Sequence, residues 1–224
     1  MQIINLKEVD STHTYLKELI QKDGFSSPIC VSADYQSNGI GSRGNSWEGK
    51  EGNLFFSFVI SKDDLPNDLQ LQSASIYFSY ILKEVLESQG SKLWLKWPND
   101  FYIDNKKIGG TITTATKDLL YCGIGLNLEH INSDFGALDI KIDKMYILKL
   151  YFKSLEKKSS WKEIFNYFQI EFQKSRKYKA TIENKKISLE NAILNSDGSI
   201  QIDDKKVFSL RWLKLLQLQI KKVG

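Results

Sequence analysis

The stretch Lys96-Trp-Pro-Asn-Asp-Phe-Tyr-Ile-Asp-Asn-Lys-Lys-Ile-Gly-Gly110 predicts the centre of the fold. A strand over Lys92–Trp97 runs into a Pro-Asn-Asp break, a second strand covers Phe101–Ile103, and a third strand follows an Asp-Asn turn. Strands this close in sequence pair antiparallel, because a parallel pair needs a crossover of about a dozen residues or more. The sequence therefore predicts an antiparallel meander here.

Polar and charged residues fall near the ends of these strands. Lys96, Asn99, Asp100 and Lys107 place two cations, an amide and a carboxylate in one short region. Charges held together in this way are costly unless they meet a ligand or each other. The pair Gly109-Gly110 has no side chain to pack, and glycines inside a strand often mark close approach by a ligand. We interpret the set as functional, and the alternative is a surface turn joined by salt bridges.

Length and composition indicate a globular protein with one large domain, or one domain and a small appendage. The chain has 224 residues, and its net charge of +4 is too small to indicate a nucleic-acid-binding surface, so no DNA partner is expected. Cys30 and Cys122 lie in apolar runs, which predicts buried free thiols, and the two His and two Cys do not have the spacing of a metal site. No signal peptide is recognisable, and no apolar run approaches the ~18 residues of a membrane span, so we expect a cytoplasmic protein.

The remaining periodicities predict an α+β fold with a mixed, largely antiparallel sheet and helices packed on it. Strands are predicted over Ile3–Leu6, Ile29–Tyr35, Leu54–Ser61 and Leu119–Leu128, helices over Thr14–Lys22, Leu69–Gly90, Met145–Tyr151 and Trp161–Tyr178, and a glycine-rich polar loop over Ser37–Glu51. Short alternating runs follow Tyr178, with a hairpin turn at Asn195-Ser-Asp-Gly198. We predict a main domain over residues 1–178 and a small C-terminal β module over residues 179–224.

Three further motifs carry candidate chemistry. Asp10-Ser11-Thr12-His13 is typical of a helix cap, and its hydroxyl and N–H groups also suit a carboxylate or a ureido carbonyl. In the stretch Gly39–Trp47, glycines permit close backbone approach, Arg43 is a donor for phosphate and Trp47 is a flat face for a ring, although a mobile surface loop is an equal alternative. Gly123-Ile-Gly-Leu-Asn127 places two glycines on one strand face, for a ligand or for tight packing.

Taken in this order, the motifs resemble biotin protein ligase, a family with a class II synthetase-like fold. The resemblance covers about residues 5 to 130, and its most specific part is Lys-Trp-Pro-Asn-Asp with a lysine seven residues after the aspartate. It implies the minimal form without an N-terminal DNA-binding domain. The matching stretches are Asp10–Thr12, Ala33–Gln36, Gly39–Gly44 with Trp47, Lys96–Asp100, Lys107–Gly110 and Gly123–Asn127.

The resemblance implies a two-step reaction in which biotin and MgATP give biotinyl-5′-AMP and pyrophosphate. A lysine of a biotin carboxyl carrier protein, such as that of acetyl-CoA carboxylase, then takes the biotinyl group. The implied catalytic residues are Lys107, Asp100 and Arg43. The implied biotin-binding residues are Ser11, Thr12, Gln36, Gly39, Gly41, Lys107, Gly110, Gly123 and Gly125, and the implied nucleotide-binding residues are Arg43, Trp47, Lys96, Asn99 and Asn127. The Mg²⁺ would be held through the ATP phosphates. The carrier protein and the choice between monomer and homodimer stay open.

The glycine loop departs from the family pattern, which has arginines where this chain has Ile40 and Ser42. Each lost charged hydrogen bond weakens retention of the adenylate by about 1.5–3 kcal/mol, unless a lysine elsewhere compensates. We predict that the Ser42→Arg variant releases biotinyl-AMP more slowly than the unaltered protein. Equal dissociation rates for the two proteins would remove the hypothesis.

Two alternatives to a biotin ligase remain. A lipoate ligase or octanoyl transferase shares the fold and a carrier lysine as acceptor, but the tryptophan of Lys-Trp-Pro-Asn-Asp and the glycine loop favour biotin. A non-catalytic biotin-binding module would agree with the altered loop, whereas the presence of Lys107 favours an enzyme. The C-terminal module lacks the glycine-rich strands of the family, so its role stays open.

Overall fold

The computed structural model of this chain describes residues 1–41, 46–129, 134–183 and 185–208. Within those ranges the chain forms four α-helices and thirteen β-strands, numbered here in chain order. The helices are α1 (Thr12–Asp23), α2 (Ala74–Ser88), α3 (Lys144–Leu155) and α4 (Trp161–Ser175). The strands are β1 (Gln2–Val9), β2 (Ile29–Ile40), β3 (Ser46–Gly49), β4 (Leu54–Ser61), β5 (Trp94–Lys96), β6 (Asp100–Ile103), β7 (Lys106–Ala115), β8 (Leu119–Leu126), β9 (Lys179–Ile182), β10 (Lys185–Ser188), β11 (Ile193–Leu194), β12 (Ile200–Ile202) and β13 (Lys205–Val207).

One large sheet organises the molecule. Its strands follow the order β1-β2-β4-β8-β7-β6-β5, and β3 pairs with the far end of β2. β1 and β2 are parallel because α1 links them as a crossover, and the other pairs of this sheet are antiparallel. The predicted mixed, largely antiparallel sheet is confirmed. The predicted meander is also confirmed, as β5, β6 and β7 pair in succession, with Asp104 at φ 49° in the second turn.

The two faces of the sheet carry different cores. Helices α2, α3 and α4 cover one face, where Phe56 and Phe58 pack against Phe78 and Tyr151 with ring centroids 5.1–5.9 Å apart. Helix α1 covers part of the other face through a smaller cluster around Leu16. Burial of this apolar surface drives both layers together. Because α1 covers only part of its face, the sheet beyond the N-terminus of this helix is open for a pocket.

The sequence also predicted the state of the two cysteines and the absence of membrane-spanning segments. Cys30 and Cys122 are buried and free, which confirms that prediction, and burial raises the pKa of both thiols. None of the helices in the described part of the chain is long and apolar enough to cross a membrane.

The structure corrects two predicted elements. The loop expected over Ser37–Glu51 is partly strand, because β2 continues to Ile40 and pairs antiparallel with β3. Glycine-rich polar sequence has low strand propensity, and the pairing between β2 and β3 overrides it here. The helix predicted over Leu69–Gly90 is shorter, since a 3₁₀ turn covers Leu71–Ser73 before α2 begins at Ala74.

The C-terminal strands form two small antiparallel sheets, β9-β10 and β11-β12-β13, as the fold prediction expected. Their apolar residues join the main core, where Ile200 is fully buried. The indole N–H groups of Trp97 and Trp161 donate to the carbonyls of Gly198 and Ser196, at 2.9 and 2.8 Å. The division of the chain at residue 178 stays a prediction.

Candidate active site

The register of the sheet leaves a patch of its α1 face without side chains. Gly123 lies between Ser57 on β4 and Ile112 on β7, while Gly125 pairs with Gly110 one row further along the strands. A Cβ atom at Gly123 would lie 3.1 Å from Ser57 Oγ, closer than most side-chain contacts allow. The glycines therefore form the floor of a hollow rather than a packed surface.

A pocket of about 480 Å³, partly open to solvent, occupies this hollow. That volume includes space open to solvent, and the part that admits the centre of a water-sized sphere is about 40 Å³. Ten of the residues predicted for the site line the pocket. They are Ser11, Thr12, Gln36, Gly41, Trp47, Asp100, Lys107, Gly110, Gly123 and Gly125.

The inner end of the pocket is polar and begins at the N-terminus of α1. Ser11 is the N-cap residue, and its hydroxyl accepts from the backbone N–H of Thr14. The next residue, Thr12, donates both its backbone N–H and its hydroxyl to Gln36 Oε1, at 2.8 and 2.9 Å. The Thr12 hydroxyl also lies 2.9 Å from Ser57 Oγ. The contacts of Thr12 hold three polar side chains, those of Thr12, Gln36 and Ser57, together beside the glycine floor.

His13 completes this end of the pocket and is itself buried. Its Nε2 lies 3.1 Å from Thr114 Oγ1, and its ring packs edge-on against Tyr121. Burial, and to a smaller extent the Lys17 ammonium, lowers the pKa of His13 from 6.5 to about 3. The imidazole is therefore neutral at physiological pH, and one of its nitrogens can accept a hydrogen bond.

The depressed pKa of His13 predicts a pH-dependent stability. Below pH 6.5 the unfolded chain binds a proton that folded His13 does not bind until about pH 3, so this contribution to the free energy of unfolding is lost as the pH falls. We compare the free energy of unfolding of the protein with that of its His13→Gln variant. The difference between the two should shrink by about 2 kcal/mol between pH 6.5 and 5, at ~1.4 kcal/mol per pH unit. Urea denaturation of both proteins measures it, and parallel curves would contradict the prediction.

The mouth of the pocket carries an ion pair. Lys107 Nζ lies 2.6 Å from Asp100 Oδ1, and both side chains are about one quarter exposed, at 27% and 23%. The pair lies over Gly110, whose absent Cβ would be 3.3 Å from the carboxylate oxygen and 3.7 Å from the ammonium. The absent side chain of Gly110 therefore leaves space for a ligand group beside this cation and carboxylate.

Trp47 covers this end. The Lys107 ammonium lies 5.8 Å from the centre of a Trp47 ring, a cation–π distance. A Cβ atom at Gly125 would lie 2.8 Å from Trp47 Nε1, so only glycine admits the indole at this depth. Trp47 Nε1 is buried without a hydrogen-bond partner in the described structure. The indole thus covers the outer part of the pocket and leaves one donor without a partner among the described residues.

Four predicted residues lie beside the pocket rather than in its lining. The amide of Asn99 donates to the Thr111 carbonyl, and the Lys96 ammonium lies over the rings of Tyr102 and Tyr178. The Asn127 amide donates to the Gly136 carbonyl at 3.2 Å, and its Oδ1 is buried with no partner among the described residues. Gly39 packs against Trp47, whose carbonyl would lie 2.6 Å from an added Cβ. Ser42, Arg43 and Gly44 are outside the described residues.

Sequence analysis did not predict several residues that line the pocket. They are His13, Ile40, Ser57, Thr111, Ile112 and Ile124. Ser57 had a signal, because it is the single polar residue inside the otherwise apolar run Leu54–Ile60. His13 had one as well, since it directly follows Ser11 and Thr12 in the capping motif. Ile112 and Ile124 had none, because apolar residues in strands are ordinarily packing residues.

A helix N-terminus, a glycine floor and a lysine–aspartate pair on a mixed sheet are features of an α+β domain suited to a small molecule with a polar head and an anionic end. Residues 6–128, more than half of the chain, match the biotin/lipoate A/B protein ligase family. The chain belongs to this family, and its fold and relatives place it with the biotin protein ligases. The resemblance inferred from the motifs is confirmed.

Two relatives illustrate the sequence match. Biotin–protein ligase 2 of Arabidopsis thaliana is 35% identical over 112 residues, which cover 46% of this chain and 33% of the relative. The bifunctional ligase/repressor BirA of Escherichia coli (strain K12) is 32% identical over 130 residues, which cover 55% of this chain and 39% of the relative. The chain thus spans only about a third of the length of these curated relatives.

Solved structures match over nearly the whole chain. Biotin acetyl coenzyme A carboxylase synthetase from Helicobacter pylori, solved with bound biotinylated ATP, has a TM-score of 0.88 and 36% identity, covering 92% of this chain and 99% of that one. Biotin protein ligase from Aquifex aeolicus, solved with biotin and ATP, has a TM-score of 0.69 and 27% identity, covering 94% and 98%.

Proposed function

We propose that this chain activates biotin with ATP and transfers the biotinyl group to a lysine of a carrier protein. In the first step a biotin carboxylate oxygen bonds to the α-phosphorus of ATP, and pyrophosphate leaves. In the second step the carrier amine attacks the carbonyl carbon of the mixed anhydride, an amide forms, AMP leaves and the amine loses a proton. The observation that carries the proposal is a single pocket with a polar inner end and a lysine at its mouth.

The polar inner end supports biotin as the substrate. A cyclic urea offers one carbonyl and two N–H groups, and Ser11, Thr12 and Gln36 present hydroxyl and amide partners for such a head. The dithiolane of lipoate and the chain of octanoate have no such groups, and they would leave buried polar atoms unpaired. A site built for hydrogen bonds rejects ligands that lack them by large factors. The lipoyl and octanoyl alternatives are therefore less well supported.

The mouth supports the activation chemistry. Lys107 lines the pocket and pairs with Asp100. Its proposed task is to bring an ammonium to the ligand carboxylate and the α-phosphate of ATP, where its charge would offset the negative charge that develops during transfer. Asp100 pairs with this ammonium, and its proposed task is to orient the attacking amine of the carrier lysine. The retained pair also argues against a non-catalytic binding module, which needs no cation at this position.

The proposed task of Trp47 and Gly41 is to shield the mixed anhydride from water. A mixed anhydride hydrolyses if water reaches it, so the site must be closed while the intermediate waits for the carrier. Trp47 and Gly41 line the outer part of the pocket, and the indole already lies over Lys107. We assign to Trp47 a contact with the adenine ring, and to Arg43 a contact with the phosphates.

The nucleotide and its metal ion belong to the same proposal. Asn127 Oδ1 is a buried acceptor with no partner among the described residues, which fits an amino group of the nucleotide. Asn99 and Lys96 lie next to the pocket and would act on the phosphates. Within the described ranges no three His, Cys, Asp or Glu side chains form a metal site. A Mg²⁺ would be held mainly by the ATP phosphates, with the Asp100 carboxylate of the pocket lining as an oxygen ligand, and it would neutralise phosphate charge.

The carrier is proposed to be the biotin carboxyl carrier domain of a cytoplasmic biotin-dependent carboxylase. The Helicobacter pylori relative is itself named for acetyl coenzyme A carboxylase, which supports that carboxylase as the acceptor. The chemistry proposed for the pocket is compatible with a monomer or a homodimer.

Exchange of labelled pyrophosphate into ATP tests the proposal. We expect exchange with biotin and none with lipoate or octanoate, because only biotin satisfies the polar inner end. Exchange with lipoate alone would transfer the assignment to the lipoyl branch of the family. Binding of biotin without any exchange would leave a binding module as the function.

A further inference from the structure

The hydrogen bonds around Thr12 have a direction that can be worked out. The backbone N–H of Thr12 is only a donor, so the Gln36 atom 2.8 Å away must be the amide oxygen. The Thr12 hydroxyl lies 2.9 Å from the same oxygen and must donate to it as well. A hydroxyl has one proton, so the proton of Thr12 is committed to Gln36.

This commitment determines the role of Ser57. Its Oγ lies 2.9 Å from Thr12 Oγ1, and since the Thr12 proton is already used, Ser57 must be the donor in that bond. The proton of Ser57 therefore points towards Thr12. Towards any other partner, the Ser57 oxygen can only accept a hydrogen bond. Ser57 is 1% exposed and lines the pocket, so it offers the ligand a buried acceptor.

A second observation indicates a polar ligand group at the same place. The position that a Cβ of Gly123 would take lies 3.1 Å from Ser57 Oγ and 3.2 Å from His13 Nδ1, so the two polar atoms converge over one glycine. His13 is 4% exposed, and its Nδ1 has no hydrogen-bond partner within the described part of the chain. Buried polar atoms are normally paired, so an unpaired one in a pocket wall indicates a ligand group.

We propose that Ser57 Oγ accepts a hydrogen bond from an N–H of the bound head group and so selects cyclic ureas over heads without that N–H. This inference rests on the proposed function and adds a specificity-determining residue to it. The direction of the Gln36–Thr12–Ser57 chain makes Ser57 a poor partner for a carbonyl. Gln36 remains the partner for the ureido carbonyl, because its amide nitrogen is a donor and its oxygen is occupied by Thr12.

Calorimetric binding of biotin and of two analogues, each methylated on one ureido nitrogen, tests the inference. In the unaltered protein one of the two methylations is expected to weaken binding by about tenfold or more. The Ser57→Ala variant is expected to bind biotin about tenfold more weakly, because it lacks the acceptor. In this variant the penalty of the same methylation should fall below about threefold, since alanine leaves the N–H without a partner to lose.

Two further variants make the outcome decisive. Ser91→Ala removes another buried serine hydroxyl, which donates to Asp139 and does not line the pocket, and it should leave all three affinities unchanged. If Ser57→Ala does not fold, Ser57→Cys keeps the volume with a much poorer acceptor and should show the same loss of the methylation penalty. Equal methylation penalties in the unaltered protein and the Ser57 variant would overturn the inference while leaving the proposed function intact. Failure of the unaltered protein to bind biotin would overturn both.

Discussion

Replacing Lys107 with alanine is expected to lower biotin-dependent pyrophosphate exchange by about 10²–10³-fold, the loss typical of one preorganised group that stabilises transition-state charge. In our proposal the ammonium meets the ligand carboxylate. Its removal would also expose that carboxylate to the unpaired charge of Asp100, whose Oδ1 lies 2.6 Å from Lys107 Nζ in the intact site. Both effects act in the same direction, and kcat and the KM for biotin should change together. Steady-state exchange assays over a range of biotin concentrations measure both.

A neighbouring lysine and a double variant separate these two effects. Lys106 precedes Lys107 on β7 and is exposed, so Lys106→Ala should keep nearly full activity. The double variant Asp100→Asn with Lys107→Ala should regain part of the biotin affinity, because the repelling charge is gone, but it should not regain turnover. Wild-type exchange rates in Lys107→Ala would refute the assignment of this lysine.

Replacing Glu171 with alanine is expected to destabilise the protein by about 3–5 kcal/mol, because it breaks a buried ionic contact. Glu171 on α4 is 4% exposed and accepts from the backbone N–H of Leu95 on β5 at 3.0 Å. Its other oxygen lies 3.6 Å from the ammonium of Lys83 on α2, whose side chain is 7% exposed. The variant would leave a buried ammonium with Glu87 as its remaining carboxylate partner among the described residues, and a buried amide with none.

Thermal and urea unfolding measure this loss, which should lower Tm by about 10 °C in a domain of this size. Lys174→Ala is the matched control, because Lys174 contacts the same carboxylate at 3.0 Å but is half exposed, and exposed pairs contribute at most about 1 kcal/mol. The Lys83→Met variant tests whether the buried ammonium is the cause of the loss, because it removes that charge and keeps an apolar side chain of similar length. A Tm for Glu171→Ala equal to that of Lys174→Ala would show that the buried contact contributes no more than the exposed one.

Local patterns in the sequence predicted much of the fold. The alternation and turn residues between Lys92 and Gly110 were enough to predict the meander, because turn chemistry and strand pairing at short separation are local. The predicted loop over Ser37–Glu51 was wrong in part, because its pairing with β3 is a tertiary effect that glycine-rich sequence does not reveal. Helix ends shifted by a few residues, as at α2, where local preferences for 3₁₀ and α-helix are nearly equal.

Motif chemistry also predicted most of the pocket lining. Ten predicted residues line the pocket. Residue type and spacing indicated the helix cap, the glycines, Trp47 and the lysine–aspartate pair, and the resemblance to biotin protein ligase added Gln36. Asn99, Asn127 and Lys96 follow the same motifs but lie beside the pocket, where their positions depend on the packing of β5 to β8. Their proposed roles depend on how far a nucleotide extends from the pocket.

The sequence by itself determined the family, the mixed sheet and the residue types of the site, because these follow from periodicity, turns and spacing along one strand or helix. Only the tertiary structure decided that Ser57 donates to Thr12 and that burial lowers the pKa of His13. Both properties depend on α1, β2, β4 and β8 meeting at one point, with Thr12 and Ser57 separated by 45 residues in the chain. A proton's position in a hydrogen-bond chain is set by all of its members together, and no single segment of sequence contains them.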